Sequence, residues 1–289
     1  MPSRGRPPSR TPGRPSARPS GRSTGQPSAR SADRASRNAA AEPMRDEPRK
    51  LFRVAGLPAV KALLEHDPRR IERLFFEERF KAELTEACRQ LAAARKPYRM
   101  VDAEELSKVA GTVLHGGVVA LIPPRTVPPL DPEKAAEWTE PLLILDGVGN
   151  PHNLGAILRT AAFFGLPRVV VSDHPGQALP SEAAYRVAEG GFEWVRIYQA
   201  ANLPAVLKRL SASHRIVATA LDQSRPTIDV AGLRKGRKPV AVVLGNEEHG
   251  LPPATLAACE AVLTIAGSGR VQSLNVAATA AILIQALAG

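Results

Sequence analysis

The chain has 289 residues, 44% hydrophobic and 23% charged, enough for two domains with ordinary cores. Its longest apolar stretches, such as 276–288, are short, Ala-rich and broken by polar residues, so no segment reads as a membrane span. Two cysteines far apart in sequence, Cys88 and Cys259, argue against a disulfide framework or a zinc site, and a reducing cytoplasm is the expected compartment.

The net charge of +11 is unevenly spread. Residues 1–50 hold twelve Lys/Arg against four Asp/Glu, leaving only +3 on the remaining 239 residues. This tail has nine prolines and no Leu, Ile, Val or aromatic residue, so it cannot bury enough apolar surface to offset its ordering entropy, and it is expected to be disordered. Three roles fit it: an arginine-rich arm attracted to RNA phosphates, a solubilising extension, or a targeting peptide. The last lacks the apolar side chains of an amphipathic helix.

Residues 51–123 form the next unit, an alternating α/β layout. "GLPAVKALLEHDP" places Val60, Leu63 and Leu64 at helical spacing, "RIERLFFEE" reads as a strand and "KAELTEACRQLAAARK" as an amphipathic helix. A short "YRMV" strand, a helix over "AEELSKVAG" and a buried strand at "GGVVALI" follow. Residues 124–138 are proline-rich and are expected to be an extended linker, because proline at this density interrupts both helices and ladders.

From 139 to 289 the alternation resumes at larger scale. Strands are predicted at "PLLILD", "RVVVS", "FEWVRIY", "RIVATAL", "PVAVVLG" and "AVLTIA", and helices over about 153–164, 181–189, 202–213, 252–259 and 272–287. Near-continuous Val/Ile/Leu strands separated by helices predict a parallel sheet covered on both faces. The apolar stripe of the last helix, with Ile282, Ile284 and Leu287, needs a partner, and a homodimer interface is expected to supply part of it.

Three constellations in this half point to chemistry. The first strand ends in "LDGVGNPHNLG", whose glycines do not keep the G-x-G-x-x-G spacing of a dinucleotide site. Asn153 instead falls where a helix N-cap belongs, two residues before Gly155 and six before Arg159. Arg159 sits among Leu154, Ile157, Leu158, Ala161 and Ala162, so it is either a buried cation paired with a carboxylate such as Glu247 or a residue lining an open site. In "VVLGNEEHGL" a strand runs into Gly245, whose missing side chain permits close approach by a ligand or by backbone, and Glu247 and Glu248 lie in the turn beyond. In "IAGSGRVQSLNVAATAAILIQALAG", Ser273 and Asn275 flank Leu274 ahead of an apolar helix, where a cap by Ser273 is the plain structural reading.

The order of these motifs, N-x-G-x-x-x-R, G-x-E-x-x-G and S-L-N, resembles the SpoU (TrmH-like) family of RNA ribose 2'-O-methyltransferases, of the SPOUT class. "GLPAVKALL" and "GTVLHGGVVALI" are similar to that family's L30e-like substrate-binding domain. The resemblance implies a deep trefoil knot in the C-terminal domain, a homodimer with its active site near the subunit interface, and RNA, either tRNA or rRNA, as substrate. It further implies S-adenosylmethionine as cofactor, contacted at the positions of Gly245, Ile265 and Leu274, and a catalytic polar set of Asn153, Arg159, Glu247, Ser273 and Asn275. Two positions depart from the family pattern. Gly116 stands after His115 where Gln is usual, and Ala266-Gly267 stand where Pro-Met often follows the Ile. The alternative function is an RNA-binding module that kept the fold and lost methyl transfer.

Overall fold

The computed structural model describes residues 50–220 and 226–288. The basic tail expected to be disordered lies, except for Lys50, outside the described residues.

A four-stranded sheet comes first. In chain order its surroundings are β1 (Phe52–Ala55), α1 (Leu57–His66), β2 (Arg73–Phe76), α2 (Thr85–Ala93), β3 (Tyr98–Met100), α3 (Ala103–Ala110) and β4 (Val118–Ile122). The sheet order is β1-β4-β2-β3, antiparallel except for the β2–β3 pair. Strand β1 has no counterpart in the sequence reading, since four residues with a single polar one, Arg53, carry no decisive period.

The segment expected to be an extended linker is docked and partly helical. Pro132–Ala136 forms α4, with Pro132 in the first turn, where its missing N–H would have no partner in any case. The Asp131 carboxylate accepts from the Glu133 and Lys134 N–H groups. Just before it, the Leu130 N–H donates to the Gln199 carbonyl at 2.7 Å and the Gln199 N–H to that of Pro128 at 2.9 Å. Proline density therefore excluded only a long helix.

The second sheet is built from β5 (Leu142–Asp146), α5 (Pro151–Phe163), β6 (Arg168–Ser172), α6 (Glu182–Ala188), α7 (Gly191–Trp194), β7 (Arg196–Ala200), α8 (Leu203–Leu210), β8 (Arg215–Thr219), β9 (Thr227–Ile228), β10 (Val240–Gly245), α9 (Pro253–Ala257), β11 (Ala261–Leu263) and α10 (Val276–Ala288). Its order is β7-β6-β5-β10-β8-β11-β9 and every pairing is parallel. Alternate residues serve opposite faces. Leu143, Leu145, Val169, Val171, Val242 and Leu244 share a core with α5, α6, α7 and α10, whereas Leu142, Ile144, Val170, Ile216, Ala241 and Val243 pack with α8. Burial on both faces accounts for the unbroken apolar runs.

The expected strand at "FEWVRIY" starts late. Gly190 adopts φ +97° and a Cβ at Gly191 would lie 2.7 Å from the Leu158 carbonyl oxygen, so the chain makes the short helix α7 against α5 before β7 begins. Its Phe192 stacks on Tyr185 at 4.2 Å, inside one apolar cluster that also holds Val54 and Leu74 of the first sheet and Val60 and Leu63 of α1.

Helix α10 also departs from expectation. Ile284 and Leu287 are buried within the chain, in the same cluster as Leu154 and Leu158 of α5, and only Ile282 of the stripe is exposed. The stripe finds its partner in the chain's own core.

Candidate active site

Strands β5, β6 and β7 succeed one another toward one edge of the sheet, while β8, β11 and β9 lie on the other side of β10. The carboxyl ends of β5 and β10 thus flank the place where the connections diverge, which in open α/β sheets is where ligands bind. The two loops leaving these strands are tied together: the Asn246 side-chain amide donates to the Gly147 carbonyl at 2.9 Å. Beneath them the buried Asp146 carboxylate accepts from the Thr255 hydroxyl at 2.6 Å.

Helix α5 starts one turn earlier than expected. Its cap is Asn150, whose side chain accepts from the His152 N–H at 2.8 Å, with Pro151 in the first turn. Asn153 is therefore inside the helix, and its side chain is free to reach across the site. It donates to Glu247 Oε1 at 2.5 Å and accepts from Asn275 Nδ2 at 3.2 Å. Asn275 is held in turn, because its Oδ1 accepts from the Ala277 N–H at 2.8 Å. This makes Asn275, and not Ser273, the cap of α10.

The donor–acceptor logic of this relay is complete. A backbone N–H can only donate and an ionised carboxylate can only accept, so the two amides between Ala277 and Glu247 have one consistent orientation each. The bonds run in one direction, from the start of α10 through α5 to the loop after β10, and polarise one another. They join the three sequence constellations.

Gly245 has a structural explanation. A Cβ there would lie 2.5 Å from the Gly250 carbonyl carbon and 2.7 Å from the Leu251 nitrogen. The close approach is by backbone: the loop folds back through paired bonds between Asn246 and Gly250, both 2.9 Å, and presents Glu247 at its tip. The Asn246 Oδ1 accepts from the Glu248 and His249 N–H groups and fixes the same turn.

The other expected site residues are placed differently. Arg159 is exposed, and its partner is Glu189 at 2.9 Å, not Glu247. Glu189 ends α6 in the left-handed region at φ 45°. Half of each side chain remains open to water, so the pair holds Arg159 weakly. Ile265 follows β11 and is half-buried against the core, whereas Leu274 is 47% exposed. Ser273 is exposed, and no hydrogen bond joins it to the relay among the described residues. Residues 265–274 form no hydrogen bond within the chain among the described residues, leaving their backbone donors and acceptors available beside two apolar side chains. Such a segment suits a ligand carrying both a hydrogen-bonding base and apolar surface.

His115, directly before the departure at Gly116, is a buried turn support. Its Nδ1 accepts from the Gly117 N–H at 3.1 Å and its Nε2 lies 3.1 Å from the Ser107 hydroxyl.

Several positioning residues escaped the sequence reading. Buried Gln177 clamps the loop after β5, accepting from the Val148 N–H and donating to the Val148 carbonyl, each at 3.1 Å. Nothing local marks a glutamine 29 residues downstream as its partner. Asn246 was legible in principle, as an Asx-turn residue directly after a strand-ending glycine.

Residues 140–285 match the SpoU rRNA Methylase family, and residues 53–128 match the RNA 2'-O ribose methyltransferase substrate binding family. The chain is 36% identical over 247 residues to the uncharacterized tRNA/rRNA methyltransferase YfiF of Escherichia coli O157:H7, covering 84% of this chain and 69% of that protein. It is 34% identical over 234 residues to the 23S rRNA (guanosine-2'-O-)-methyltransferase RlmB of Acinetobacter baylyi, covering 78% and 92%. The crystal structure of an AdoMet-bound rRNA methyltransferase from Sinorhizobium meliloti has the same fold, with a TM-score of 0.67 at 24% identity over 84% of this chain and 88% of that one. With matches across both sheets and relatives aligned over most of their own length, this chain belongs to the SpoU methylase family.

Proposed function

We propose that this protein transfers a methyl group from S-adenosylmethionine to a ribose 2'-hydroxyl of structured RNA, with ribosomal RNA the first substrate to test because its RlmB relatives are named for 23S rRNA. The observation that carries the proposal is the Asn275–Asn153–Glu247 relay, which draws three distant motifs to the carboxyl ends of β5 and β10. When bound, S-adenosylmethionine supplies a methyl group on a positively charged sulfur.

The chain's own residues bind and orient. The unpaired backbone of 265–274, with Ile265 and Leu274 as apolar walls, holds the nucleoside part, and Gly245 keeps the neighbouring loop folded back beside it. The relay fixes Glu247, whose charge suits a cationic sulfur. Arg159 grips a substrate phosphate with its planar fork and orients the ribose, exchanging a water-exposed pair with Glu189 for a charge-assisted one. Free guanidinium is a poor base, so Arg159 acts on the hydroxyl through position and charge, and the hydroxyl proton leaves to the gripped phosphate or to water in the assembled complex. Ser273 lies at the mouth of the same loop and contacts substrate only in the complex.

In this reading residues 51–123 are an L30e-like RNA-binding domain, 124–138 connect it, and 139–289 are a knotted SPOUT domain that works as a cytoplasmic homodimer. No helix among the described residues is long and apolar enough to cross a membrane. The test is incubation with ribosomal RNA and methyl-labelled cofactor, followed by nuclease digestion. A labelled 2'-O-methylnucleoside is expected. Label confined to bases, or cofactor binding without transfer to any ribosomal or transfer RNA, would refute the proposal.

A further inference from the structure

The loop before β10 reads Arg234, Lys235, Gly236, Arg237, Lys238: four cations in five residues, all exposed. Residues 51–289 carry a net charge of only +3, so this one loop exceeds the whole excess of the chain beyond its tail. None of the four is paired with a carboxylate among the described residues. Two carboxylates of the neighbouring strands β9 and β11 are otherwise placed. Asp229 Oδ1 accepts from the Gly232 N–H at 2.8 Å, and Glu260 is exposed at the start of β11 beside Ile216.

The loop is built rigidly enough to present its charge. Arg215, the first residue of β8, donates from one guanidinium nitrogen to the carbonyls of Gly232 and Lys235, both at 3.0 Å. Lys238 donates to the Ser211 carbonyl at the end of α8, at 2.7 Å. These staples leave the exposed side chains of Arg234, Lys235 and Arg237 without a bonded partner among the described residues. A solvated, purely solubilising loop would need neither staple.

A groove of about 650 Å³ starts at this loop and leads toward the candidate cofactor segment. It is lined by Arg215 and Lys235 toward the amino end of the strands and by Asp229, Thr264 and Ala266 toward their carboxyl ends, where Thr264 and Ala266 flank Ile265. Strand β10 separates the basic loop from the Glu247 turn, a span of roughly 17 to 20 Å at about 3.3 Å per residue.

We propose that the 234–238 loop and this groove are a second RNA-contact surface, at the amino end of the sheet, which takes the phosphate backbone of the RNA whose ribose is in the active site. The inference rests on the RNA substrate proposed above. Phosphate is favoured over an acidic peptide because Lys235 lines a groove that reaches Ala266 in the candidate cofactor segment, with Arg234 and Arg237 exposed in the same loop, and evenly spaced charge on a continuous backbone can follow that course. Their role is affinity and register, since phosphate contacts carry no sequence information.

The test uses the full chain and a ribosomal RNA fragment that the wild type methylates. The triple variant R234Q/K235Q/R237Q removes only side chains without bonded partners, so S-adenosylmethionine affinity and melting temperature should match the wild type. At about 0.7 to 0.9 counterions released per contact, its slope of log affinity against log salt should fall by roughly 2 to 3. In the wild type, bound RNA should shield Lys235 from acetylation. If the wild type methylates the fragment but the variant keeps the wild-type slope, or if polyglutamate shields Lys235 and RNA does not, the second surface is refuted while the proposed function stands. If the variant melts lower, R237Q alone is measured, with an expected slope loss of nearly one, and an unchanged slope is again a refutation. A wild type that methylates no RNA would instead refute the function itself.

Discussion

Asn153→Asp changes one atom group in the middle of the relay. The donor to Glu247 Oε1 disappears and a second carboxylate takes its place, at a position now 2.5 Å from the first. Three effects compete. Losing a hydrogen bond to a charged group costs about 1.5 to 3 kcal/mol. Two carboxylate charges some 3 to 4 Å apart repel by about 1 kcal/mol if the surroundings are as polar as water, which suits an exposed Glu247. Against these, an acidic side chain in the first turn of α5 gains about 0.3 to 1 kcal/mol from the helix dipole. The net loss is about 2 to 3 kcal/mol, so the relay opens. Because the Glu247 turn can swing away without unfolding the sheet, the melting temperature should change by only a few degrees. If the relay sets the reacting geometry, kcat/KM for methyl transfer should fall roughly 30- to 150-fold at pH 7.5, as each 1.4 kcal/mol is tenfold. Two adjacent carboxylates also hold a proton more tightly than one, and the introduced carboxyl group, once protonated, can donate to Glu247 again. The deficit should therefore shrink as the pH is lowered toward 5.5, relative to wild type at each pH. Initial rates with methyl-labelled cofactor across that range provide the assay. Wild-type kcat/KM at pH 7.5 would show that the relay has no part in catalysis.

Three further outcomes are expected. Gly245→Ala should lower both S-adenosylmethionine affinity in calorimetry and the melting temperature, because its Cβ meets the Gly250 backbone at 2.5 Å and the fold-back must open; a variant with native stability and affinity would contradict the close approach. Arg159→Lys keeps the charge but loses the planar fork, so it should lose most methyl transfer while cofactor affinity and melting temperature stay near wild type, the exposed pair with Glu189 being worth less than about 1 kcal/mol; normal methylation by this variant would remove Arg159 from the mechanism. Burial pushes the His214 imidazole below its ordinary pKa, and its Nε2 has no hydrogen-bond partner among the described residues. The folded state therefore binds the proton less readily than the unfolded chain, so this contribution to stability is complete above the unfolded pKa of about 6.5 and is lost as pH falls toward the depressed folded value; urea midpoints from pH 7.5 to 5 should fall less steeply for His214→Phe than for wild type, and parallel curves would rule this out.

The sequence alone determined the alternation of elements and the nature of the second sheet. "LLILD", "RVVVS" and "VAVVLG" are apolar at nearly every position because both faces of a parallel strand are covered, and that requirement is visible residue by residue. It also located the three motif loops, since glycine and asparagine at strand and helix ends are local necessities. Only the tertiary structure decided what those loops do to one another. Asn153 meets Glu247 and Asn275 across 94 and 122 residues, so nothing in the local spacing could tell a cap from a relay, and the capping role passed to Asn150. Arg159 looked out of place among apolar neighbours, yet α5 turns it to water and toward Glu189, because α6 and α7 cover the adjacent faces of the helix. The stripe on α10 called for a partner, and whether that partner was a second subunit or the chain's own core depended on where the last helix comes to rest. It rests on α5 and β10, so the chain crosses back from β11 past β8 to reach them, and that return is a property of the whole sheet.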